Sequence, residues 1–233
     1  MKVGRKLANK LLNVTKFVLQ FGGADGGGAL DRDSAATAVT DPIDRSMLAK
    51  LDDVVAEATE AFEGFDYARA LERTEAFFWW FCDNYVELVK GRAYDESRPT
   101  AAASATRALR HALDVLQRLL APILPFAAEE AWSWWHDTSV HRAPWPTPVR
   151  GTGEPVGDPT LADATIEVLA QVRRAKTEAK QSQRAEVASL VVSAPASLHA
   201  ALEAGRADLV DAGSVRLLEL VEGESLSATV TLA

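Results

Sequence analysis

The sequence predicts a mainly α-helical bundle followed by a small α+β domain at its C-terminal end. Apolar residues recur every three or four positions through most of the first half, which is the spacing of one helix face. Prolines and glycines then concentrate between residues 136 and 160, which indicates a boundary. We therefore expect a helical domain over 1–147, a linker over 148–160 and an α+β domain over 161–233.

Helix-breaking residues divide the first domain into its elements. Asp41 and Asp66 are suited to cap the second and third helices, and the two prolines of "APILP" (121–125) end the fourth. The glycine-rich segment 22–40 is typical of a flexible loop. The apolar run "AFFWWFC" (76–82) predicts a helix at the centre of the bundle. The expected helices cover residues 2–21, 42–62, 67–90 and 101–121, with a short one around 129–135.

The second domain is expected to combine helices with strands. One helix should cover about 161–181, and another should lie near 196–210. Three short runs rich in valine, leucine and threonine predict strands at 188–194, 214–221 and 227–233.

The overall charge and the cysteine usage limit the class of protein. With 25 Lys and Arg against 33 Asp and Glu, the net charge of −8 argues against a general nucleic-acid binder. The single cysteine, Cys82, excludes an internal disulfide and fits a reducing compartment. It lies in an all-apolar segment, which favours a buried, unreactive thiol. Because no apolar run approaches membrane-spanning length, we expect a soluble, cytoplasmic protein that does not bind membranes.

Catalytic motifs are missing from the sequence. It contains no phosphate-binding glycine loop, no nucleophile elbow and no zinc-protease motif. The four histidines are scattered, and none has a second Cys or His at metal-ligand spacing. We therefore expect no catalytic residue, no metal site and no cofactor in this chain.

The first helix carries the clearest candidate for binding. "VGRKLANKLLNVTKF" (3–17) contains four basic residues and no acidic one, although the whole chain is acidic. On a helical wheel Phe17 falls between Lys6 and Lys10, opposite the apolar stripe. Lysine and arginine attract phosphate, asparagine bonds base edges and an aromatic ring stacks unpaired bases. A solvated basic face with phenylalanine packing at the bundle edge is the alternative. The candidate RNA-binding residues are Arg5, Lys6, Asn9, Lys10, Asn13, Lys16 and Phe17.

A second basic row lies in "VRRAKTEAKQSQRAEV" (172–187). Arg173, Lys176 and Lys180, and Arg184 if the helix continues, recur at three- and four-residue spacing. They are either phosphate contacts or a solvated edge that pairs with Glu178. The tryptophan clusters at 79–80 and 132–135 favour packing over base stacking, because no basic residues interleave with them.

Four ordered motifs resemble the anticodon-binding domain of class I aminoacyl-tRNA synthetases of the valine, isoleucine and leucine group. In this sequence the motifs are "GRKLANKLLNVTKFVL", "FFWWFCDNYVELVK", "LAPILPFAAEEAWSWW" and "SVHRAPWP". The later segment "VRRAKTEAKQSQRAEV" is most similar to the valyl enzymes. The resemblance covers about residues 1–220, and it departs from the family in Ala128, where threonine is usual, and in the long loop 22–40.

The resemblance implies that the chain recognises a tRNA anticodon stem-loop, with valine isoacceptors as its tRNA partners. The family's HIGH and KMSKS motifs are missing from the sequence, so we expect no valine activation by this chain alone. ATP and Mg²⁺ are then expected in the catalytic domain of the same synthetase, which would be its other partner. The alternatives are a stand-alone RNA-binding relative without catalysis and a helical protein-interaction module.

Overall fold

The computed structural model describes residues 2–21, 39–150 and 156–233, and side chains from Gly4 onward. It confirms a helical bundle followed by a small α+β unit. The bundle contains α1 Lys2–Val18, α2 Pro42–Glu63, α3 Tyr67–Trp80, a π-helical turn Phe81–Tyr85, α4 Val86–Tyr94, α5 Pro99–Leu120, α6 Pro125–Ser133 and a 3₁₀ turn Val140–Arg142. No helix within these described ranges is long and apolar enough to cross a membrane.

The C-terminal unit packs helices on a three-stranded sheet. Its elements are α7 Leu161–Glu178, β1 Val187–Ala194, α8 Ala196–Ala204, α9 Arg206–Gly213, β2 Val215–Glu222 and β3 Ser227–Leu232. The central strand β1 pairs in parallel with β2 and antiparallel with β3. Leu190 lies opposite Leu218 on one side and Val230 on the other. The two short helices form the crossover that a parallel pair of strands requires.

The ends of several elements differ from the sequence expectation. The first helix ends at Val18 rather than at residue 21. The helix expected over 67–90 continues to Tyr94 and contains the π-helical turn. The helix expected over 161–181 ends at Glu178, because Lys180 adopts a left-handed conformation with φ of 54°.

The helix expected near 196–210 is two helices that meet at Gly205. A β-carbon at Gly205 would lie 2.2 Å from Oγ1 of the fully buried Thr165 on α7. The close approach of the chain to α7 at this point therefore requires glycine.

The apolar stripe of α1 packs into the core as the spacing predicts. Leu7, Leu11, Val14 and Val18 are all buried. Thr15 lies in the same interface, and its hydroxyl accepts a hydrogen bond of 3.0 Å from Gln117 Nε2 on α5. Burial of this face fixes which side of α1 remains in contact with solvent.

The expected core helix is also confirmed. Phe77, Phe78, Phe81 and Cys82 are buried, and burial raises the pKa of the Cys82 thiol to about 12, which keeps it protonated and unreactive. Of the tryptophans, Trp132 is fully packed. Trp79, Trp80 and Trp135 are half-buried against the core, and Trp134 is exposed.

One buried arginine joins the bundle to the C-terminal unit. Arg92 of α4 donates to both carboxylate oxygens of Asp44 on α2, at 2.8 and 2.7 Å. It also donates to both oxygens of Asp208 on α9, at 2.8 and 3.0 Å. The hydroxyl of Tyr85 donates to Asp44 at 2.7 Å, and Ser104 does the same. Three helices from both units are therefore held by one guanidinium group.

The segment predicted as a linker is attached to the bundle where the structure describes it. Asp52 of α2 accepts hydrogen bonds from the backbone N–H groups of Val149, at 2.6 Å, and Arg150, at 2.9 Å. Ser46 on the same helix accepts from Ala162 N at the start of α7. Residues 151–155, and 22–38 of the predicted glycine-rich loop, lie outside the described residues.

Candidate nucleic-acid interface

The polar arc of α1 faces away from the core. Five of its predicted binding residues are exposed side chains: Arg5, Lys6, Asn9, Asn13 and Lys16. The arc is held in place from behind through α5, because Gln117 bonds Thr15 and also accepts a hydrogen bond of 3.0 Å from Trp135 Nε1. A helix fixed in this way presents cations and amides in a constant arrangement.

Lys10 lies at the edge of the arc and touches the π-helical turn. Its Nζ is 2.7 Å from Oδ1 of Asp83 and 6.0 Å from the centre of the Trp79 ring. Partial burial opposes the charge, but the hydrogen bond from Lys10 to Asp83 and the nearby negative charges outweigh it and raise the pKa of Lys10. The lysine therefore remains charged and anchored at neutral pH.

Arg173 reaches the same turn from α7. Its Nη1 donates to the backbone carbonyl of Asp83 at 3.3 Å, and its Nη2 lies 3.7 Å from Glu87 Oε2. The two basic rows that the sequence suggested separately are thus brought together at Asp83. This convergence could not be inferred from spacing, because the two helices are far apart in the chain.

Lys176 points in another direction. Its side chain is 1% exposed, and Nζ donates to the carbonyls of Gln183, at 3.0 Å, and Gly213, at 2.8 Å. Lys176 therefore ties the loop after α7 to the C-terminal end of α9 and has no surface from which to contact phosphate. Burial, together with the charge of Arg173, lowers the pKa of Lys176.

The remaining residues of the second row are exposed but do not continue the helix. Lys180 follows α7 in its left-handed position, and Arg184 lies in the loop beyond. The row expected along one helical edge is therefore reduced to Arg173, with Lys180 and Arg184 on the adjoining loop.

Phe17 occupies the position that the packing alternative predicts. Its ring is half-buried against the core, 5.0 Å from Phe21 and 6.4 Å from Tyr94, in edge-on contacts. A direct contact between Phe17 and a base remains a prediction.

Sequence reasoning missed a row on the neighbouring helix. Asp83, Glu87, Lys90 and Tyr94 follow one another at intervals of four, three and four residues along the π turn and α4. Lys10 contacts the first of these residues, and Gln20 accepts a hydrogen bond of 3.2 Å from the Tyr94 hydroxyl at the last. The row therefore runs alongside α1, and we call the combined surface the α1–α4 face.

A groove of about 600 Å³ opens beside this face. Lys90, Arg173 and Arg184 line it together with the acidic residues Glu87 and Asp211. Glu87 pairs with Lys90 at 2.5 Å and lies 3.7 Å from Arg173, so this acid holds two cations near the groove. The arrangement suits a polyanion whose phosphates replace the Glu87 carboxylate as partners of these cations.

The structural role of Lys176 gives a testable prediction. Lys176→Met is expected to lower the free energy of unfolding by about 1–3 kcal/mol, because the buried carbonyl of Gly213 and the part-buried carbonyl of Gln183 lose their donor. Denaturant unfolding measures the loss, and Lys180→Met on the exposed loop serves as control, with an effect within about 0.5 kcal/mol. A normal unfolding curve combined with a flatter salt dependence of RNA binding would instead indicate that Lys176 contacts RNA phosphate.

Comparison with known families shows which family the chain belongs to. Residues 44–192 match the family model described as the anticodon-binding domain of tRNA ligase. The chain belongs to the anticodon-binding domain family of tRNA ligases. The match includes α4 and α7, whereas α1 precedes it.

Curated relatives extend the similarity to α1. The chain is 52% identical to a valine–tRNA ligase of Thermobifida fusca, over 100% of the chain and 26% of that relative. It is 48% identical to the valine–tRNA ligase of Salinispora tropica, over 100% of the chain and 28% of the relative. For Leifsonia xyli the identity is 48%, over 97% of the chain and 25% of the relative. The resemblance to valyl enzymes is confirmed, and the chain spans about a quarter of the length of these relatives.

Proposed function

We propose that the α1–α4 face binds the anticodon stem-loop of valine tRNAs, as the anticodon-binding module of a valine–tRNA ligase. The observation that supports this most directly is the meeting of Lys10 and Arg173 at Asp83, which brings cations from two helices onto one surface. Membership of the anticodon-binding family and the names of the curated relatives agree with the same assignment.

The residues of the face divide the work of recognition by their chemistry. Arg5, Lys6 and Lys16 attract phosphates without regard to sequence. Asn9 and Asn13 carry amides that both donate and accept, so they distinguish base edges in an unpaired loop. Asp83 and Glu87 pair with Lys10, Lys90 and Arg173, and phosphates of the bound RNA would replace these carboxylates as partners of the cations.

Aminoacylation itself is assigned to other parts of the enzyme. We propose that ATP and Mg²⁺ act in a catalytic domain of the same synthetase, in the cytoplasm, and that this module raises the local concentration of tRNA there. The chain alone should then give no valine-dependent exchange of pyrophosphate into ATP. Pyrophosphate exchange above that of a mock-purified control would contradict the assignment of catalysis to another domain.

Removal of two exposed lysines tests the binding proposal. Lys6→Ala/Lys16→Ala is expected to weaken binding to the valine stem-loop and to lower the slope of log affinity against log salt by roughly 0.7–0.9 for each lost contact. Arg69→Ala/Arg73→Ala on α3 removes the same charge from the exposed part of another helix and should leave the slope unchanged. Fluorescence titration of a labelled stem-loop at several salt concentrations measures both.

The same titration distinguishes the competing functions. Equal losses in both double variants would indicate attraction by overall charge rather than by the α1–α4 face. No salt-dependent binding by the unaltered chain would leave a helical protein-interaction module as the better assignment. Asn13→Ala should reduce discrimination against altered anticodons more than it reduces affinity.

A further inference from the structure

Tyr94 is an exposed aromatic side chain at the end of the α1–α4 face. Among the described residues, six large apolar or aromatic side chains are exposed, and Tyr94 is the one in ring contact with α1. It keeps 57% of its surface exposed. Proteins bind single-stranded nucleic acids with exposed aromatic rings that lie beside basic residues.

The ring is held in a fixed orientation. Phe21 contacts it at 4.5 Å with the two planes inclined by 63°, and Phe17 contacts it at 6.4 Å. The Tyr94 hydroxyl donates to Gln20 Oε1 at 3.2 Å, which restrains rotation at the far end of the side chain. Because the ring is already positioned, little side-chain entropy would be lost when a planar group lies against it.

The surroundings of Tyr94 supply charge and polar groups at suitable places. Lys90 lies one helical turn earlier on α4, beside the groove that Arg173 also lines. On the other side, α1 presents Asn13 and Lys16 in the turns nearest Phe17. A nucleotide strand that contacts both Lys90 and the Phe17 end of α1 would lie beside the tyrosine, because the Tyr94 ring contacts Phe17.

We infer that Tyr94 is the stacking surface for one unpaired base of the bound RNA, and that Phe17 acts through Tyr94 by supporting its ring. The inference rests on the proposed function, because it assumes that RNA occupies the α1–α4 face. It also assigns Phe17 a positioning role, which agrees with its half-buried ring.

The test compares two tyrosines in similar settings. Tyr94→Ala is expected to weaken binding of the valine stem-loop by about 5- to 150-fold, the usual range for loss of one stacked base. Tyr94→Phe should bind within about threefold of the unaltered chain, because stacking needs the ring and not the hydroxyl. Tyr67→Ala is the control: Tyr67 is 55% exposed and rests against Phe62 as Tyr94 rests against Phe21, but it lies on α3. The Tyr67→Ala variant should bind the stem-loop as tightly as the unaltered chain.

Stem-loops with one abasic position identify the base concerned. At the stacked position the abasic change and Tyr94→Ala should be non-additive, since each removes the same contact. At every other loop position the two effects should add. The salt slope should be the same for Tyr94→Ala and the unaltered chain, because tyrosine carries no charge.

The outcomes separate this inference from the proposal on which it rests. Salt-dependent binding that falls in the Lys6→Ala/Lys16→Ala variant but is normal in Tyr94→Ala would overturn the stacking role alone. Additive effects at every abasic position would do the same. Absence of stem-loop binding by the unaltered chain would overturn the proposed function first.

Discussion

Replacement of Arg92 by methionine is expected to lower the free energy of unfolding by about 3–5 kcal/mol. The reason is that Asp44 and Asp208 would remain buried, at 0% and 4% exposure, without the cation that pairs with both. Urea unfolding followed by circular dichroism measures the change. Arg73→Met is the matched control, because the Arg73 side chain is 52% exposed and its pair with Glu57 lies at the surface. It should cost no more than about 1 kcal/mol.

The pH dependence of the Arg92→Met effect checks its cause. Burial raises the pKa of Asp208 to about 6, above its ordinary value of 3.8. A carboxyl group with a raised folded-state pKa favours the fold while it is protonated, and that contribution is lost as pH rises through about 6. A protonated Asp208 carries no charge and does not need a cation beside it. The loss caused by Arg92→Met should therefore be smaller at pH 5 than at pH 8. A loss that does not change with pH would show that the guanidinium acts through packing rather than through charge.

Truncation of Phe81 to alanine should also cost about 3–5 kcal/mol. The ring is fully buried in the π-helical turn, 5.8 Å from Tyr85 and 6.4 Å from Phe77 in stacked contacts. Its removal would leave a cavity at the centre of the bundle, where the neighbouring rings are themselves fixed by packing. The midpoint of urea unfolding should fall while its slope with denaturant stays constant.

Phe126 provides the control for this truncation. It is 89% exposed at the start of α6, so Phe126→Ala should change stability by no more than about 0.5 kcal/mol. A cost below about 1 kcal/mol for Phe81→Ala would contradict the packing described for the π-helical turn.

Local signals in the sequence account for most of the fold. The apolar stripe of α1 predicts which face is buried, and Asp41 and Asp66 cap α2 and α3, accepting from Ile43 N and Arg69 N. Short runs rich in valine, leucine and threonine locate the ends of all three strands within one position. The break at Gly205 was not predictable, because it depends on the approach of Thr165 from another helix.

The candidate interface was predictable only in part. The polar arc of α1 follows from helical spacing, since the side opposite a buried stripe must face solvent. The burial of Lys176 depends on Gly213, which lies 37 residues further along the chain, so spacing alone grouped Lys176 with the half-buried Arg173. Tyr94 was missed for a related reason: its ring is held in place by Phe17 and Phe21, which are distant in sequence.

The π-helical turn makes the length of this segment as important as its composition. A turn with i to i+5 bonding holds one more residue than an α-helical turn, so everything after it is rotated by about 100°. Phe77 and Phe78 before the turn, and Arg92 after it, are buried with this offset in place. Deletion of one residue between 81 and 85 would restore an ordinary helix but put the two halves out of phase. Arg92 would then lose its carboxylates and Tyr94 would leave the α1–α4 face in the same step.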